Sequence, residues 1–153
     1  MSEKQLKEGI IALLVSLFAY TGVSALLDHT SFRNHLILSP WPLLSRTAAY
    51  LAWILPLLEL SIVTLLIIPR TRIRGLWLSF ILMLAFTTYI AVFLLSGKQL
   101  PCNCSGVLPF MDWEWHLVFN IIFTMLGEAA LFLHIQFPTD RSSIFKHKKQ
   151  YLK

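Results

Sequence analysis

The sequence predicts an all-α polytopic membrane protein, an antiparallel four-transmembrane-helix bundle, and three observations carry that prediction. Hydrophobic residues make up 56% of the 153 and charged residues 14%, and the mean hydropathy of +0.66 lies far outside the balance of soluble domains. The apolar residues fall into four runs of about 20 residues, the length that crosses a hydrocarbon core of ~30 Å as helix. Short clusters of charge, proline and glycine separate the runs, and short connections make consecutive helices antiparallel neighbours. A net charge of +5 would raise nucleic acid as a partner for a soluble chain. Here the basic residues flank the spans, so the lipid bilayer is the expected partner and nucleic acid is not.

The first span is expected over residues 9–27. Lys4 and Lys7 before it and Val23-Ser24-Ala25 within it also fit a cleaved signal peptide. Against cleavage, the apolar run continues through Leu26 and Leu27, and Ser16, Tyr20, Ser24 and Asp28 recur at i, i+4 spacing, a polar stripe suited to a retained helix. The segment after Asp28 alternates loosely from Ser31 to Leu38 and reads as a short interfacial helix ending before Ser39-Pro40-Trp41-Pro42. The second span is expected over 47–68, with Pro56 inside it as a kink, the third over 76–95 and the fourth over 117–137. Residues 1–140 then form the transmembrane domain and 141–153 a basic cytoplasmic tail. No span carries a strong paired-glycine motif.

Sidedness follows from lysine and arginine. Lys4, Lys7, Arg70, Arg72, Arg74, Arg141, Lys146, Lys148, Lys149 and Lys153 lie on one side, against Arg33, Arg46 and Lys98 on the other. The positive-inside rule therefore puts both termini in the cytoplasm, and for a bacterial host the expectation is an inner-membrane protein whose other connections face the periplasm. Trp77 near an inner helix end, and Trp41, Trp53, Trp113 and Trp115 near outer ends, fit aromatic belts.

Both cysteines stand in one outward connection, Pro101-Cys102-Asn103-Cys104-Ser105-Gly106. In an oxidising periplasm paired thiols form disulfides and exchange them. A bridge between residues two apart closes almost no loop and strains its geometry, so it is a poor staple and better suited to exchange. Asp112 is placed to cap the fourth helix, whose positive dipole end would favour a thiolate, and His116 in its first turn is the candidate proton carrier. Cys102, Cys104 and His116 are thus the candidate catalytic residues. The alternatives are an inert pair, a soft-metal site of Cys102, Cys104 and His116 with His29 or His35 in a metal-handling or transport protein, and a non-catalytic assembly subunit.

Ionisable groups within hydrocarbon are costly, so Glu59 in the second span and Glu128 in the fourth are expected to face the bundle interior. His116, Asn120, Thr124 and Glu128 recur every four residues beneath the cysteine connection. As a functional path this stripe would carry protons, with a quinone head group as cofactor near Glu59, Asn120 and Glu128. As interhelical glue it would fasten helices by hydrogen bonds. Phosphate-binding loops, serine-histidine-acid arrangements and zinc-protease spacing are absent as sequence signatures.

The chain resembles the DoxX-like and methylamine-utilisation MauE group of redox-associated integral membrane proteins. The resemblance is carried by Tyr20-Thr21-Gly22-Val23-Ser24-Ala25-Leu26-Leu27-Asp28, Ser31-Phe32-Arg33, Pro56-Leu57-Leu58-Glu59, the cysteine segment, and Trp113-Glu114-Trp115-His116-Leu117-Val118-Phe119-Asn120. It implies a four-helix bundle that assists extracytoplasmic thiol-disulfide chemistry with a thioredoxin-like or disulfide-containing client. For the MauE branch it implies a part in maturation of methylamine dehydrogenase. Ser105 stands where relatives commonly carry glycine.

Overall fold

The computed structural model describes residues 3–39, 41–95 and 113–136. They form five helices: α1 (Glu3–Leu27), α2 (His29–Ile37), α3 (Pro42–Ile67), α4 (Arg72–Leu95) and α5 (Trp113–Gln136). All but α2 are long and apolar enough to cross a membrane, over Gln5–Leu27, Pro42–Ile67, Arg72–Leu95 and Glu114–Gln136. No strand occurs among the described residues. The expected all-α membrane bundle is therefore observed, and its helices start earlier than the apolar runs because a helix does not stop where hydrocarbon does. Thus α3 begins at Pro42, where a proline without an N–H costs nothing, and α4 takes in the Arg72 turn.

The long helices close into a ring in which α1 packs on α3, α3 on α4, α4 on α5 and α5 back on α1. Neighbours run antiparallel. Gly22 of α1 lies against Pro56 and Leu60 of α3, whereas Glu8 lies beside Arg72 just past the end of α3. Thr87 bonds Thr124 and Gly127 approaches Phe80, so α5 advances as α4 recedes. Gly75 fits α4 against α3, since a Cβ there would stand 3.0 Å from the Leu66 nitrogen and 3.1 Å from the Leu65 carbonyl carbon.

Two caps shape the connections. Asp28 accepts a hydrogen bond from the Ser31 N–H at 3.4 Å, starting α2 directly after α1. At the other end, Thr71 Oγ1 donates to Leu65 O (3.1 Å) and Arg72 Nε donates to Leu66 O (3.2 Å), which satisfies carbonyls left open at the end of α3. Arg72 Nη1 also pairs with Glu8 at 2.8 Å. Within the spans, the Thr47, Ser61, Thr64, Thr87, Thr88 and Thr124 hydroxyls each donate to the carbonyl four residues back. Hydroxyls so satisfied are tolerated in hydrocarbon.

Packing is unevenly distributed along the bundle. The buried apolar core, with Ile10, Ile11, Leu14, Phe18, Ile62, Leu66, Leu76, Leu82, Met83, Ala130 and Leu131, draws on the first part of α1 and α4 and the last part of α3 and α5. In antiparallel helices these segments meet at one end, the end of the Glu8–Arg72 pair. Outward-facing Leu13, Tyr50, Ile54, Ile81, Met125 and Phe132 are exposed, as a lipid-facing surface requires. Exposed Trp41 and Trp115 lie at the α2 end and Trp77 at the other, as belts require. Trp53 sits further along α3, where it stacks on His29 with ring centroids 4.3 Å apart.

Candidate functional site

At the α2 end the same ring is hollow. Here small or polar side chains, Thr21, Ser24 and Ala25 on α1, Ala85 on α4 and Asn120 on α5, interrupt the leucine, isoleucine and phenylalanine lining. Those side chains do not fill the axis, and α2 packs along α3 instead of entering it. A cavity of about 560 Å³ results, a size typical of sites for small organic ligands. Its walls include Phe18, Phe86, Phe119 and Tyr89, and among the described residues no lysine or arginine lines it.

Glu59 lines the cavity and is only 7% exposed. The Thr21 hydroxyl stands beside its carboxyl as a hydrogen-bonding neighbour. Gly22 makes this approach of α1 to α3 attainable, since a Cβ there would be 3.2 Å from Pro56 O and 3.3 Å from Glu59 Cβ. α3 continues as helix through Pro56, which is buried against the same space.

From α5, His116 and Asn120 line the cavity, and Asn120 Nδ2 donates to His116 O at 2.9 Å. From α2 come Ser31 and His35. Burial lowers the His35 pKa below its ordinary 6.5, opposed by the negative charge of Asp28, so its neutral imidazole is favoured. Tyr89 and Trp41 also line the cavity; Tyr89 Oη is 3.0 Å from Ser39 Oγ, and Trp41 stands edge-on to Tyr89 at 6.2 Å.

The structure brings together Glu59, His116 and Asn120 and leaves Glu128 out. Glu128 was expected to share the interior with Glu59, but it is exposed on the outer surface and does not line the cavity. The reason is helical geometry: each step of four residues advances about 400°, so three steps from His116 rotate Glu128 by about 120°. Thr124, between them, bonds Thr87 across α4 and α5 and does not line the cavity, so it serves as glue. The same drift splits the expected α1 stripe: Ser24 and Asp28 line the cavity while Ser16 and Tyr20 are exposed.

Cys102, Cys104 and the capping Asp112 lie outside the described residues, as does the tail 141–153. Of the histidines considered with the cysteines, His35 and His116 line one cavity, and His29 stacks on Trp53. Among the described residues no group of three His, Cys, Asp or Glu is disposed to hold a metal ion. Sequence reasoning passed over Tyr89, whose hydroxyl directly after Thr87 and Thr88 within the third apolar run was the available signal.

These features define a multi-pass helical membrane protein whose bundle is solid at one end and encloses a cavity with polar groups in its wall at the other. Over residues 3–135 the chain matches the family described as methylamine utilisation protein MauE, and it belongs to that family. No curated protein and no solved structure matches it.

Proposed function

We propose that this MauE-family protein assists thiol-disulfide chemistry on the outer face of a bacterial inner membrane, with Cys102 and Cys104 exchanging disulfides with a soluble client. The observation that carries this reading is topological. The connection bearing the cysteines leaves α4 at Leu95 and enters α5 at Trp113, and both helix ends belong to the hollow end of the bundle. The lysine and arginine bias supports an orientation with that end outside and both termini in the cytoplasm. A client thiolate attacks the Cys102–Cys104 disulfide, a mixed disulfide forms, and the client's second thiol resolves it. The client is oxidised by two electrons and the membrane pair becomes a dithiol. His116, at the start of α5, is the proton carrier nearest in sequence to the pair. A disulfide-rich client in methylamine use, such as methylamine dehydrogenase, fits the family to which the chain belongs.

The test is trapping in intact cells. With Cys102→Ser and Cys104→Ser made singly, one variant should accumulate a mixed disulfide after acid quenching, and mass spectrometry should identify the attached protein. An impermeant maleimide should label the reduced pair from outside. Absence of any trapped client with the pair permanently reduced, or labelling only after permeabilisation, overturns the reading.

A further inference from the structure

We infer that the cavity binds a membrane quinone that reoxidises the Cys102/Cys104 pair, with Glu59 handling the transferred protons. This inference rests on the thiol-exchange reading for its electron donor, and on the cavity for everything else.

A pair that has oxidised a client is left as a dithiol and must pass on two electrons and two protons before it can act again. The balance is direct: two S–H bonds break, one S–S bond forms, and the quinone's two carbonyl oxygens become the two hydroxyls of a quinol. No further reactant enters. An acceptor that moves freely in a bilayer is apolar with a small hydrogen-bonding head, and the cavity has that character. It lies among membrane-spanning helices, its aromatic walls include Phe18, Phe86 and Phe119, and its polar groups are few. Asn120 Nδ2 carries a second proton beyond the one given to His116 O, and Glu59 stands against Thr21 at the α1–α3 wall.

Other occupants fit less well. Among the described residues no lysine or arginine lines the space, so a phosphate-bearing head group finds no counter-charge among them. A volume of about 560 Å³ is far larger than a one-carbon amine needs. Among the lining carboxyls and imidazoles, Glu59 is the carboxyl buried in the bundle wall, so it is the group able to exchange a proton with a bound ring out of contact with water.

The full-length protein in lipid nanodiscs provides the test. Trp41 lines the cavity, so decylubiquinone or menadione should quench tryptophan fluorescence saturably, and solvent extraction of the purified protein should release a quinone. The Cys102→Ser/Cys104→Ser double variant should bind as well as the native chain. Ala25→Phe, which fills the cavity from α1, should weaken binding by about tenfold or more with helix content unchanged; Ala85→Phe does so from the α4 wall. Glu59→Gln should keep binding within a few-fold while slowing quinone reduction by the dithiol roughly 100-fold. Non-saturable quenching, full affinity in both phenylalanine variants, displacement by methylamine, or phospholipid as the sole extracted occupant overturns the inference. If clients are trapped but no quinone binds, thiol exchange stands and this site falls. If quinone binds the native and double-serine proteins but no client is ever trapped, the site stands and the exchange reading falls.

Discussion

The contact between α3 and α4 at Gly75 gives the sharpest test of the packing. In Gly75→Ala the added methyl meets the Leu66 nitrogen at 3.0 Å and the Leu65 carbonyl carbon and Cβ at 3.1 Å. The first two are backbone atoms of a helix, so relief requires moving α4 as a unit. Alanine gains about 1 kcal/mol over glycine in a helix interior. Overpacking costs about 1–3 kcal/mol, and rigid backbone places this site in the upper part of that range. The net is a destabilisation of about 1–2 kcal/mol. At roughly 2–4 °C per kcal/mol for a chain of this size, melting in detergent followed by circular dichroism should fall by about 2–8 °C. Gly9→Ala is the control. Nothing lies within 4 Å of its Cβ position, so the same substitution there should raise the melting temperature. An unchanged or higher value for Gly75→Ala would show that α3 and α4 do not approach as described.

Further outcomes follow from the polar contacts. Thr87 and Thr124 each give their single hydroxyl proton to their own helix, at 2.7 Å in both cases, so the 3.0 Å bond between them competes with those bonds; a Thr87→Val/Thr124→Val double-mutant cycle should yield a small coupling of about 0.6 kcal/mol. Glu8 is the more exposed member of its pair, with its side chain 43% accessible, so Glu8→Gln should cost about 1 kcal/mol or less. Arg72→Ala should cost more, because it also removes the bond to Leu66 O. For His35, a pKa lowered by burial means that the unfolded state binds the proton more readily. Its packing contribution is therefore fully present above its ordinary pKa of 6.5 and weakens as pH falls below it. The acid-side loss of thermal stability should shrink in His35→Gln. Asp28→Asn should lower the His35 pKa further, measurable by NMR titration of the imidazole.

The four spans were legible because hydrocarbon thickness imposes one length on every helix that crosses it. The short α2 was legible from the turn residues around it, and Asp28 set its start. Glu59 was legible as an interior group because an isolated carboxylate in lipid is costly. The same argument failed for Glu128, since cost alone does not say which way a side chain points, and a spacing of four residues drifts off its face within three steps. The hollow was not legible at all. It arises where Ala25, Ala85 and Asn120 from three separate helices line one common space, and no local pattern announces that coincidence. Whether Thr124 fastened helices or lined a path likewise depended on what faced it, which proved to be Thr87.

The unequal filling of the bundle gives it the mechanics of a cantilever. Its root is clamped by Leu14, Leu66, Leu76 and the Arg72–Glu8 pair, while the arms of α4 and α5 reach beyond Met83 and Thr124 toward the cysteine connection, α4 by about 18 Å. A load placed on that connection would bend the tips toward the unfilled space, where fewer close-packed side chains resist than at the root. Were the proposed client to dock there, its docking and the shape of the interior chamber would be mechanically joined without any disturbance of the root.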